Sequence, residues 1–224
     1  MTFSTKRFLI AVTASGLIAG SAQATVIANY DFEDPDNYSS KDTSSVTASD
    51  ITIGDGLLSD DQTGIEDGTT DLQFVDWNEG NPGSYFRFRY GAITQTRFND
   101  DYIEFTVAPD AGVWLDLTSL TLDLVNFSGG AGFDATVYSS VVDGIIDDPE
   151  DDQLERFVVS GGAGDWETYE LDLSAFTNVT DPTVFRIEFF SSGNDPRHNI
   201  GLDNVVLNAN VGSSAPAGTV ISIQ

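Results

Sequence analysis

The sequence predicts an all-β protein, an antiparallel β-sandwich of about ten strands. Three observations predict it. Apolar residues recur at every second position in short runs, the period of a half-buried strand. Clusters of Gly, Pro, Asn and Asp end those runs before they reach helical length. No stretch carries the apolar stripe of an amphipathic helix. The chain has 224 residues, 40% of them hydrophobic and 11% aromatic. That is enough for one domain with its own core, and neither a tandem repeat nor an internal linker divides it.

Residues 1–24 have the layout of a signal peptide. Lys6 and Arg7 form its charged start, Phe8 to Ala19 its apolar run, and Ala22-Gln23-Ala24 its small-residue cleavage site. The apolar run is short for a membrane span and contains Thr13, Ser15 and Gly16. The expectation is export, with cleavage near Ala24 and a secreted or cell-surface product that has no membrane span.

The first strand follows at once. Val26, Ala28, Tyr30 and Phe32 alternate with Ile27, Asn29, Asp31 and Glu33. Asp34-Pro35-Asp36-Asn37 breaks it, and the Ser/Thr/Asp-rich run to Asp50 is expected to be a long loop. Ile51-Thr52-Ile53 resumes extended structure before the Asp55-Gly56 turn signal. An acidic loop over 58–71 precedes a short strand, Leu72 to Val75, and a turn at Asn78 to Gly83. Phe86, Phe88 and Tyr90 then share one face of a strictly alternating strand.

Ile103, Phe105 and Val107 point inward from the next strand, which stops at Pro109-Asp110. Leu120, Leu122 and Leu124 repeat the pattern within Trp114 to Phe127. Phe133 to Ser139 is a strand set off by glycines, and Val142 to Glu155 is an acidic excursion ending before Phe157-Val158-Val159. Tyr169, Leu171 and Leu173 share a face, as do Phe185, Ile187 and Phe189. The loop 191–199 leads into the last strand, Asn199 to Asn208, whose natural partner is the first strand. The sandwich is expected over 25–210, with 211–224 a small, polar tail.

Composition narrows the function. There is no cysteine, so neither disulfides nor thiolate chemistry is available. The formal net charge is −27, from 36 acids against 9 bases. Such a surface repels nucleic acid and anionic membranes, whose recognition needs clustered Lys and Arg. It suits cations, basic partners, or a salty medium that screens self-repulsion.

Two groups of motifs resemble known families. Tyr30-Asp31-Phe32-Glu33 and Gly201-Leu202-Asp203-Asn204-Val205-Val206-Leu207 resemble the terminal strands of the galactose-binding-like jelly rolls of carbohydrate-binding modules. There a glutamate after an aromatic in the first strand and an aspartate in the last strand hold a structural calcium. The resemblance therefore implies a jelly roll and assigns those roles to Glu33 and Asp203. The middle of the chain is similar to a group of bacterial secreted proteins that usually end in a PEP-CTERM sorting tail. The matching pieces are Tyr102-Ile103-Glu104-Phe105, Tyr138 to Gly144, Trp166 to Ser174, Phe185 to Phe189, and Ile200 to Val205. That likeness implies a secreted or surface-exposed sandwich. No Pro-Glu-Pro tripeptide, apolar helix or basic tail follows Asn210 in this sequence.

Three kinds of chemistry compete for the site. Calcium takes six to eight oxygens from carboxylates, amides and carbonyls. Asp31, Glu33 and Asp203 are the metal candidates, against the plain alternative that strand acids face solvent. A polysaccharide or cell-surface glycan would stack on an exposed aromatic plane. Trp77 in its polar turn, with Asn78 beside it and Tyr85 behind, is the candidate, whereas Trp114 and Trp166 open apolar strands and are expected in the core.

Catalysis has less to work with. His198 is the only histidine, and no Gly-x-Ser-x-Gly elbow accompanies it. No catalytic residue is assigned. The leading reading is a secreted, non-catalytic module, calcium-stabilised and glycan-binding. The alternatives are a small polysaccharide lyase-like enzyme built on His198 and a purely structural acidic surface or matrix protein.

Overall fold

The structure, a computed structural model, describes residues 24–32, 45–54, 73–74, 86–90, 101–126, 132–148, 150–160, 165–191 and 198–213. The described residues form an all-β sandwich with no helix and only antiparallel pairings. Twelve strands appear among them: β1 (Thr25–Tyr30), β2 (Val46–Ala48), β3 (Thr52–Ile53), β4 (Gln73–Phe74), β5 (Phe86–Tyr90), β6 (Tyr102–Pro109), β7 (Val113–Asn126), β8 (Phe133–Ser139), β9 (Gln153–Val159), β10 (Glu167–Asp172), β11 (Thr183–Ser191) and β12 (His198–Ser213).

Two six-stranded sheets share them. The first runs β10-β7-β12-β5-β4, with β1 also on β12; the second runs β2-β6-β11-β8-β9, with β3 also on β6. The expected pairing of the first and last strands is present, Tyr30 opposite Val205 and Thr25 opposite Ala209. β12 is the spine of the first sheet. One edge pairs with β7 along its length, and the other takes β5 over His198–Leu202 and β1 over Val205–Ala209.

Alternation sorts the side chains as the period demands. Leu115, Leu117, Leu120, Leu122, Leu124, Leu202, Val205 and Leu207 from one sheet meet Ile103, Phe105, Val107, Phe133, Ala135, Val137, Phe185, Ile187 and Phe189 from the other. Burying each large apolar side chain contributes about 1.5–3 kcal/mol before entropy is counted. Tyr30 crosses between the layers. Its ring lies 5.0 Å from that of Phe105, which stacks at 5.5 Å on Phe185, and its hydroxyl donates to the Ser49 carbonyl at 2.6 Å.

Several local expectations are corrected. The run to Asp50 contains β2, because Val46 buries its side chain and Ser49 fastens to β6 through both its N–H and its hydroxyl. β9 begins at Gln153, inside the expected acidic excursion. His198 and Asn199 open β12 and do not lie in a loop, and β12 continues to Ser213. Trp114 and Trp166 are only half-buried. Trp114 falls on the outward face because Val113 and Leu115 take the inward positions, and its ring lies over Gly212, its partner across the pair.

Candidate functional site

Two polar constellations stand out, one on each sheet. The first lies where β12 changes partner. β5 leaves it at Leu202 and β1 joins it at Val205, so Asp203 and Asn204 occupy the gap. The register of β12 on β7 shifts between Asp203 and Val206. Asn204 adopts a left-handed φ of 48° there, a conformation that Asn tolerates better than most residues because its short polar side chain bonds locally. Asp203 is 3% exposed, and Asp123 stands opposite it on β7. The Asn204 N–H donates to Asp203 Oδ1 at 2.8 Å. The Asn204 amide nitrogen donates to Asp123 Oδ2 at 2.9 Å and lies 3.4 Å from Asp203 Oδ2. The Thr168 hydroxyl donates to Asp123 Oδ1 at 2.5 Å.

Among the metal candidates, Asp203 is thus buried beside a second carboxylate that sequence reasoning did not single out. Asp31 is exposed and directly follows Tyr30, the last paired residue of β1. Glu33 lies outside the described residues. Among the described residues no group of three or more His, Cys, Asp or Glu side chains converges as a metal centre. The oxygens at the junction are nevertheless the hard donors that calcium takes, and two carboxylates facing each other is a charge arrangement that a cation relieves. Trp77, Asn78 and Tyr85, the glycan candidates, also lie outside the described residues. His198 is placed by its backbone opposite Tyr90 of β5.

The second constellation occupies the face of the second sheet turned away from the core. Because odd-numbered residues of β8 and β11 fill the core, Asp134, Thr136, Tyr138, Arg186, Glu188 and Phe190 share the other face. Glu188 stands opposite Thr136 on β8 and Tyr102 on β6, and Arg186 stands between Tyr138 and Glu104. β9 adds Arg156 opposite Thr136. The Arg186 guanidinium lies 4.0 Å from the Tyr102 ring centroid and donates from Nε and Nη2 to Glu104 Oε2 at 2.9 and 2.7 Å. On the other flank Arg156 lies 5.2 Å from the Phe190 ring centroid and pairs with Asp134.

Each flank is therefore a cation held between a ring and a carboxylate. Between them Asp134, Thr136, Tyr138 and Glu188 are fully buried, whereas the flanking Arg156 side chain is 36% exposed and Arg186 18%. Among the described residues, Asp134 Oδ1 and Thr136 Oγ1 have no hydrogen-bond partner. The signal for this face was present in the sequence as charges at alternate positions inside apolar strands, Arg186 and Glu188 above all. A single strand does not reveal that those charges line up with Asp134, Thr136 and Arg156.

No family model and no curated protein matches the chain. Several solved structures are similar to it over most of its length. The K3 cleaved adhesin domain of Lys-gingipain from Porphyromonas gingivalis is 17% identical, covers 82% of this chain and 99% of its own, and superposes with a TM-score of 0.43. The CBM22-1 xylan-binding domain of Paenibacillus barcinonensis Xyn10C is 11% identical, with 88% and 100% covered and a TM-score of 0.40. A family 11 carbohydrate-binding module from Clostridium thermocellum is 11% identical, with 83% and 96% covered and a TM-score of 0.36.

Proposed function

We propose that this chain is an exported, non-catalytic β-sandwich module that binds a glycan on the outward face of its second sheet. Calcium at the junction of its terminal strands stabilises it. The observation that carries the proposal is the partly exposed rim of that face, where Arg186 lies on Tyr102 and pairs with Glu104 and Arg156 pairs with Asp134. A rigid sheet with rings, guanidiniums and carboxylates in fixed register offers what sugar recognition needs, apolar planes beside hydrogen-bonding groups. Export is supported by the charged start, apolar run and small-residue site within residues 1–24. Calcium is supported by the facing pair Asp123 and Asp203, with Asp31 at the end of the adjoining strand.

Calorimetric titration of the processed chain with a panel of polysaccharides tests the binding. Saturable heat that Tyr102→Ala abolishes and Trp77→Ala leaves intact puts the site on the sheet. Loss in Trp77→Ala alone moves it to Trp77. No saturable binding by the unaltered chain removes glycan recognition and leaves an acidic surface protein.

A further inference from the structure

We infer that the outward face of the first sheet is a docking surface for a basic polypeptide segment, with the Trp114 ring taking one of its arginine or lysine side chains. This face is separate from the one proposed above for a glycan, and the inference stands without that reading. Leu115, Leu117, Leu122 and Leu124 of β7 and Leu171 of β10 point into the core. Trp114, Asp116 and Asp123 of β7 and Glu170 and Asp172 of β10 therefore point the other way. Glu170 and Asp172 are exposed, and the other three are half-buried. The indole is laid on the neighbouring strand. Gly212 stands opposite Trp114, and a Cβ there would meet ring atoms at 2.0–2.5 Å. One face of the ring thus covers backbone, which leaves the opposite face outward. Among the described residues no cation lies against it.

Charge sets the partner. On the second sheet Glu104 is paired with Arg186 and Asp134 with Arg156. On the first, Asp116, Asp123, Glu170 and Asp172 pair with no cation among the described residues, and β1, β7, β10 and β12 contain neither Lys nor Arg. Neutral donors orient three of these acids. The Asn178 N–H donates to Asp116 Oδ1 and the Ser174 N–H to Asp172 Oδ1, both at 2.9 Å, and the Thr168 hydroxyl donates to Asp123 Oδ1 at 2.5 Å. Such donors fix a carboxylate in place and leave its charge uncompensated. A guanidinium or ammonium stacked on Trp114 answers both features, because Asp116 is the next outward residue on the strand. Extent favours a polypeptide over a single small cation. Trp114 to Asp123 runs about 30 Å at roughly 3.3 Å per residue, so only a chain bearing several cations engages both ends.

The test is fluorescence anisotropy of a labelled, capped decapeptide of alternating arginine and threonine, titrated with the processed chain at low ionic strength. Saturable binding is expected. Trp114→Ala should weaken it about tenfold, the worth of a cation on an indole face, and Trp114→Phe should keep most of it. Glu170→Gln with Asp172→Asn should weaken it about fivefold. Glu150→Gln with Asp151→Asn removes the same charge from the exposed loop before β9 and should leave it unchanged. Because all four of these acids are exposed, the comparison holds even where Trp114→Ala does not fold. Equal losses in the two double variants would show that overall acidity holds the peptide, and would overturn the docking surface. Unchanged affinity in Trp114→Ala, or no saturable binding by the parent chain, would overturn it too. Spermine binding as tightly as the decapeptide would overturn the polypeptide partner.

Discussion

Asp123 and Asp203 face each other across β7 and β12, and the side-chain amide of Asn204 reaches the carboxylates of both. Like charges directly opposite on neighbouring strands oppose pairing. Here the strand makes a bulge at that point, and the residue it frees supplies the bridging donor. The site is therefore sensitive to whatever else supplies positive charge between the strands.

Calcium is expected to raise the melting temperature in a way that magnesium at matched ionic strength does not. At a hundredfold excess over its dissociation constant the gain is about 2.7 kcal/mol, roughly 5–10 °C for a chain of this size. Asp203→Asn separates the possibilities by sign. With calcium the variant should melt lower than the parent; in EDTA it should melt at the same temperature or higher, because one of two facing charges has been removed. A parent chain that melts at the same temperature in calcium and in EDTA would rule out the cation site.

Asn204→Ala should destabilise the chain by about 2 kcal/mol or more, since it loses a charge-assisted bridge and keeps a left-handed φ. Asn204→Gly keeps the conformation and loses only the bridge, so its urea midpoint should lie between those of the parent and the alanine variant. Equal midpoints for the two variants would mean that backbone conformation contributes nothing.

Gly212 is held to its side-chain size by Trp114. A Cβ at residue 212 would lie 2.0 Å from the indole, so Gly212→Ala must push the ring off the strand. The expected cost is about 1–3 kcal/mol. Displacing a half-buried indole into water should also shift tryptophan emission to the red, and unchanged emission would show that the strand moves instead.

Tyr169 should ionise above the usual phenol range. Burial raises its pKa, and the Glu167 carboxylate that accepts its hydroxyl proton raises it further. The folded chain therefore holds that proton after an unfolded chain has released it near pH 10. Its stabilising contribution is complete below that pH and falls as pH rises beyond it. A spectrophotometric titration should lose a late phenol in Tyr169→Phe, and Glu167→Gln should bring that phenol earlier.

Much of the fold was legible in the sequence. The alternation in Ile103, Phe105 and Val107 and in Phe185, Ile187 and Phe189 named core residues that the two sheets bury, because an inward face admits only one periodicity. Phe133–Ser139 has the expected bounds. Trp114 was harder to place: an aromatic in an apolar run reads as core, yet Val113 and Leu115 on either side of it already fill the inward positions. Val46–Ala48 was obscured because three residues carry too little periodicity to register. The polar face of the second sheet was the least legible, since it depends on four strands meeting in register, and no single segment contains that information. Asp203 could be singled out locally, as an acid in an otherwise apolar strand; its partner Asp123 could not, because their pairing spans 80 positions of chain.

The sixteen residues of β12 have a further consequence, for the order of assembly. β7, β5 and β1 all hydrogen-bond to this one strand, so the β10–β7 and β4–β5 pairs and β1 cannot be joined into one sheet until β12 has been made. The second sheet has no such dependence: β6, β8, β9 and β11 pair among themselves without β12. Sequence-distant pairings of this kind fold slowly, because chain entropy is lost before contacts compensate. The second sheet can therefore form first, and the first sheet closes onto it only when β12 arrives to join its separate pieces.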